Sequence, residues 1–155
     1  METSYSLRSE IDYNLGIQYG DFDSEITTSS DYGSGLIRSN CKLNGDYAWL
    51  ARDDDKKGYI QVDLRNGFYI NAISIQGRKD SAQWVTKFRV LWSPDKKEFI
   101  NLCELKGNTD NTNVEKKYLP EPIFCKAIRI QPLECYSFRC LRFELHYILP
   151  KENKL

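Results

Sequence analysis

The chain has a single histidine, His146, which falls in the alternating run Leu141-Arg142-Phe143-Glu144-Leu145-His146-Tyr147 with no serine, cysteine or aspartate beside it in an elbow or dyad pattern. Acid–base or nucleophilic work by this imidazole therefore has no partner within its motif. GxSxG, HExxH, Walker-type and GxGxxG patterns are absent, and no paired acid and base can be placed among the carboxylates. These observations argue against an enzyme. The five cysteines, Cys41, Cys103, Cys125, Cys135 and Cys140, are odd in number and lack CxxC spacing, which argues against a zinc site and a full disulfide framework. Reduced thiols are expected, with a Cys135–Cys140 bridge across a tight loop left open.

Oxygen ligands are more plentiful. The run Arg52-Asp53-Asp54-Asp55-Lys56-Lys57 offers three adjacent carboxylates, but consecutive side chains on an extended segment diverge, and calcium needs about 6–8 converging oxygens. The run reads as a solvated loop. The Asn44-Gly45-Asp46 turn is the better calcium candidate, because its carbonyls and side chains could converge with a carboxylate from elsewhere. Asp63, Arg129, Arg142 and Glu144 stand on strongly apolar strands. Unpaired burial would cost several kcal/mol, so they are expected to form a partly buried structural charge network.

The elements that would position these groups are strands. Residues 59–78 read as a central hairpin: Ile60, Val62 and Leu64 alternate with polar residues, Ile73 and Ile75 do so again, and Arg65-Asn66-Gly67 lies between as a tight turn. Further strands are predicted at 25–28, 84–92, 99–105, 127–131 and 141–147, and 107–113 reads as a polar loop. Trp49 and Trp84 are expected in the core. No segment sustains a helical period, so the fold is all-β, a sandwich or barrel.

At 155 residues one domain is expected, spanning 13–149 between a flexible N-terminal arm, 1–12, and a tail, 150–155. Lys+Arg and Asp+Glu are 22 each, so no net field draws in nucleic acid. The first residues lack a signal-peptide pattern and no apolar run is long enough to span a bilayer. The compartment stays unknown: cytoplasmic or unconventionally secreted, unless the chain is a fragment of an extracellular protein.

An ordered set of segments resembles the coagulation factor V and VIII type C domain, also called the discoidin domain. These are ITTSS (26–30), KLNG with Ala48-Trp49, YIQVDL (59–64), ISIQGR (73–78), QWVTKFRVLWSPD (83–95), GNTDNTNV (107–114), IFCKAIRIQP (123–132) and LRFEL (141–145). The run IQGRKDSAQWVTKF is especially similar to the discoidin lectins, which bind galactose and N-acetylgalactosamine. The resemblance implies an eight-stranded antiparallel jelly-roll barrel or sandwich, galactose-binding-domain-like, with ligand loops gathered at one end. It implies a non-catalytic, lectin-like module acting in recognition or cell adhesion, with a glycan or glycoconjugate as partner. A phospholipid membrane or a protein of an adhesion or scaffold complex is the alternative. On this basis Asp31, Tyr32, Arg78, Asp80 and Gln83 are the expected sugar ligands, since a sugar needs charged or amide groups beside an aromatic platform. Asn44 and Asp46, with Glu144 as the distant carboxylate, would hold a structural Ca2+, and no other cofactor is expected. Weak binding per site would suit a homo-oligomer or larger assembly. The chain departs from the family's pattern in lacking cysteines near Asp12 or Tyr13 and at Ile148, in the polar character of loops 31–38 and 78–83, and in carrying Arg78-Lys79-Asp80 where some discoidins have Arg-Gly-Asp.

Overall fold

The computed structural model describes residues 11–150. Among them seven strands form one antiparallel sheet: β1 (Asp12–Asn14), β2 (Ile26–Thr28), β3 (Ile60–Gln76), β4 (Trp84–Ser93), β5 (Ile100–Lys106), β6 (Glu115–Tyr136) and β7 (Arg142–Ile148). The order is β1-β7-β3-β6-β4-β5, with β2 also on β3. The long strands β3 and β6 bend, so the sheet folds onto itself as a sandwich. One leaf holds the first half of β3, the second half of β6, and β2, β4 and β5; the other holds the remaining halves with β7 and β1. β1 and β5 do not pair, so the barrel stays open, and seven strands stand where eight were expected. Strand β4 follows the alternation in the sequence; in β7 Phe143 and Leu145 face the core, but Arg142, Glu144 and His146 on the opposite face are buried as well. Ile60, Val62, Leu64, Ile73, Ile75, Phe88, Val90, Phe143, Leu145 and Trp49 fill the core between the leaves. Of the expected N-terminal arm, 1–10 lies outside the described residues, and Asp12 already belongs to β1, paired with Ile148.

The central hairpin is not formed. Residues 60–76 are one strand, and both halves pair with β6: Asp63 lies opposite Ala127 and Phe68 opposite Cys125, with a bulge between them. Arg65 (φ 60°) and Gly67 (φ 117°) supply left-handed backbone, but they serve a bulged corner and not a chain reversal. The Phe124 ring lies against the Gly67 Cα, where a Cβ would collide with it. Gly67→Ala is therefore expected to destabilise the domain by about 1–3 kcal/mol. A urea melt checks this, and an unchanged midpoint would mean the corner adapts freely.

The second half of β3 also departs from the one-faced pattern. Ser74 and Gln76 are buried although they face away from Ile73 and Ile75. The covering segments give Gln76 its partners: its Oε1 accepts from the Asn44 N–H at 2.8 Å, and its Nε2 donates to the Thr112 carbonyl at 2.6 Å.

Candidate ligand-binding loop end

Past Gln76 the chain enters loop 77–83, which the Arg78 N–H closes by donating to the Gln83 carbonyl at 2.9 Å. Asn111, from the polar loop before β6, places its Nδ2 at 3.0 Å from the Arg78 carbonyl, 3.2 Å from Lys79 and 3.1 Å from Ser81. Beneath it the Arg142 guanidinium donates to the carbonyls of Gly77 (2.6 Å), Gly45 (2.6 Å) and Asn111 (3.1 Å), tying three loops to β7. The loop end is thus held by side-chain donors aimed at backbone acceptors, a preorganised arrangement.

On this support stands a polar cluster. Arg78 donates to both Asp80 oxygens (2.6 and 3.3 Å) and, through Nη1, to Gln83 Oε1 at 3.1 Å. The paired bond raises the Arg78 pKa and lowers that of Asp80, so both remain charged. Arg78, Asp80 and Gln83 are therefore brought together as expected from the sequence.

Asp31 and Tyr32 are not joined to this cluster by any hydrogen bond or ion pair. Asp31 accepts from Thr28 Oγ1 (2.7 Å), Trp49 Nε1 (3.1 Å) and Arg38 Nε (3.1 Å). Burial alone would raise its pKa, but the bonds from Thr28 and Arg38 prevail and hold it low. That carboxylate anchors the core Trp49 to its loop. Tyr32 is exposed, its N–H bonded to the Leu50 carbonyl at 2.7 Å.

Aromatic rings stand near the cluster, of which the sequence singled out only Trp84, as a core residue. Tyr47, 48% exposed, lines a shallow cleft with Asp46, Lys79 and Asp80. Trp84 is half-buried and not a core residue; it stacks on Tyr136 with centroids 4.5 Å apart and planes at 10°. Tyr136 and Phe138 are also exposed. Tyr47 follows the Asn44-Gly45-Asp46 turn directly, and that position was the available signal for it. Tyr136 gave none, since only its pairing with Trp84 sets it at this end.

The expected calcium ligands do not converge. Glu144 is fully buried, and its carboxylate accepts from the N–H groups of Gly16 (3.3 Å), Ile17, Gln18 and Leu145 (3.0 Å each). Burial holds this carboxyl above the usual range, against the pull of those donors. Asp46 pairs with Lys79 at 3.1 Å, and Asn44 is bonded to Gln76. No group of three or more His, Cys, Asp or Glu able to hold a metal occurs among the described residues.

The expected charge network is not formed either. Asp63 pairs with Lys96 at 2.8 Å. Arg129 lies between the Tyr59 and Phe99 rings, at 4.0 and 3.7 Å from their centroids, and donates to Gln61 Oε1 at 2.7 Å. Arg142 and Glu144 each bind backbone groups, so the two buried charges are neutralised by peptide dipoles and not by each other.

One pair was missed for lack of sequence proximity. Ser74 Oγ lies 2.6 Å from His146 Nε2, on adjacent strands. Both residues are buried and His146 Nδ1 has no partner, so no orienting acid completes a triad.

A β-sandwich that presents charged groups, an amide and aromatic rings from rigidly held end loops has the architecture of a ligand-binding module. The chain belongs to the F5/8 type C domain family, whose model matches residues 25–145; such domains are typically non-catalytic binding modules. Among its relatives, retinoschisin of Takifugu rubripes is 29% identical over 150 residues, covering 84% of this chain and 53% of that protein. Discoidin II of Dictyostelium discoideum superposes with a TM-score of 0.74 at 25% identity, covering 81% of this chain and 55% of that one. The family 32 CBM from C. perfringens NanJ, solved in complex with galactose, shares the fold with a TM-score of 0.69 at 15% identity, covering 88% of this chain and 99% of that module. The chain thus spans about half the length of the retinoschisin and discoidin II chains it matches. No helix among the described residues is long and apolar enough to cross a membrane.

Proposed function

We propose that the loop end binds a neutral sugar of the galactose or N-acetylgalactosamine type, with Arg78, Asp80 and Gln83 as the hydrogen-bonding set. The Arg78–Asp80–Gln83 cluster beside exposed aromatic rings is the observation that carries this reading. Its fixed donors and acceptors suit vicinal hydroxyls, and Tyr47 on one side or Tyr136, stacked on Trp84, on the other offers a flat apolar face to a pyranose ring. Galactose is the first probe because residues 75–88 resemble the discoidin lectins. Insertion into lipid is supported less well. Of the adjacent apolar pair in loop 31–38, Leu36 is buried at 5% exposure and only Ile37 reaches the surface, at 36%.

Titrating galactose and N-acetylgalactosamine into the wild type by NMR should perturb residues 46–47 and 78–83 at millimolar sugar. Arg78→Ala should weaken binding about tenfold or more through loss of the bidentate anchor. Silent loop resonances at millimolar sugar, together with tight binding to phosphatidylserine vesicles, would replace the glycan reading with the membrane one.

A further inference from the structure

The loop after β6 has a cysteine on each side. Cys135, half-buried near the end of β6, lines a cleft of about 180 Å3 with Leu50, Arg52, Asp53, Lys56, Phe138 and Arg139. Cys140 is buried against Leu36, Ala48 and the same Leu50, its Sγ 3.2 Å from Gln83 Oε1. The chain between them reverses on Ser137, whose φ is 68°, and the Phe138 N–H closes the turn on the Tyr136 carbonyl at 2.9 Å. Leu50 is thus a neighbour common to both cysteines, one open to solvent and one not.

We propose that Cys135 and Cys140 are a redox pair, with Cys135 attacking a small disulfide such as oxidised glutathione and Cys140 resolving the adduct. Three cations, Arg52, Lys56 and Arg139, line the cleft against the single acid Asp53, although Arg52 also pairs with Asp54 at 3.2 Å. Such a partly exposed, cation-lined position suits the carboxylates of glutathione. Burial raises the Cys135 pKa, and the Arg139 charge offsets part of that rise. Cys41 and Cys125 are buried, with thiols pushed up to about 12, and burial does the same to the resolving Cys140, which leaves Cys135 as the thiol that meets the oxidant first. Cys103 is half-exposed on β5, and its cleft has no second cysteine among its lining residues.

The chemistry balances as two exchanges. The Cys135 thiolate attacks one glutathione sulfur, the S–S bond breaks, and one glutathione thiolate leaves and takes up the proton that Cys135 gave to solvent. Cys140 then attacks Cys135 sulfur, its proton passing to the second departing glutathione. Two cysteine thiols are oxidised by two electrons, and one glutathione disulfide becomes two glutathione thiols. The bridge withdraws the Cys140 S–H from Gln83 Oε1, leaving Arg78 Nη1 as its donor; only this consequence rests on the sugar-site reading.

The test is incubation of the reduced full chain with oxidised glutathione, followed by intact mass measurement and a non-reducing tryptic map. The wild type should become two hydrogens lighter without a retained adduct. Cleavage after Arg139 should leave the Cys135 and Cys140 peptides joined until reductant is added. Cys140→Ser should retain one glutathione on Cys135, Cys135→Ser should lose both products, and Cys103→Ser should behave as wild type. All five thiols remaining alkylatable, or glutathione carried by Cys103 instead, would overturn the pairing, and the wild-type map decides this even if a serine variant fails to fold. An oxidised chain with unchanged galactose titration would sink only the coupling to Gln83.

Discussion

Arg142→Met is expected to cost about 3–5 kcal/mol of stability, more than the Gly67→Ala change at the β3 corner. The Arg142 side chain is 1% exposed, yet it faces no carboxylate at bonding distance. It donates to Gly77, Gly45 and Asn111 carbonyls instead. Burial lowers its pKa, and the charges of Asp46 and Asp80 offset this from a distance. Methionine fills much of the volume but strands three buried acceptors, each worth about 1–3 kcal/mol before the loops relax toward water. Urea denaturation would measure the loss. Amide exchange should accelerate in the three loops that the guanidinium ties down, at 44–47, 77–83 and 109–113. A midpoint shift no larger than that of the exposed Lys56→Ala control would show that the guanidinium has no such bracing role.

Acidification should produce the next largest effect, through His146. Burial first, and the Lys116 charge second, lower its pKa from 6.5 to about 4, with Asp12 pulling weakly the other way. The folded state therefore binds fewer protons than the unfolded state between these values. Stability is complete above pH 6.5 and is lost as pH falls toward 4, by about 3 kcal/mol for this group. The groups facing the ring are Ser74, Lys116 and Asp12. Asp12, itself held low against burial by Lys116 and Asn71, titrates below that window. His146→Gln should flatten the fall between pH 6.5 and 4 relative to wild type. Parallel curves for the two proteins would mean that His146 is already protonated in the fold.

The sequence revealed those elements whose partners impose a strict period of two. Strands β4 and β7 each pack one face on the core, so alternation located them. It misled at Arg65-Asn66-Gly67, because local backbone freedom suits a hairpin and a bulged corner equally, and only β6 running past both halves decides between them. The local triad Arg78, Asp80 and Gln83 was legible because a six-residue stretch can close a loop on itself. Asn111 and Tyr136 were not, since their roles depend on strands remote in the chain. Arg142 and Glu144 were recognisable as buried charges. Their partners were hidden because backbone carbonyls and N–H groups carry no residue identity.

The pairing of Asp12 with Ile148 has a consequence for how such a domain can be mounted. Tyr69 faces Ile148 and Gln76 faces Arg142 on the same two strands, so the seven-residue step along β3 separates the chain's entry and exit from the binding loops by roughly 23 Å. Entry and exit lie side by side, away from the loops. The domain can therefore be spliced into a surface loop of a host protein, or circularly permuted by a short linker from residue 149 to residue 11, and still hold its loop end outward. Tethering in this way would bring several copies to one ligand-bearing surface with every loop end facing it.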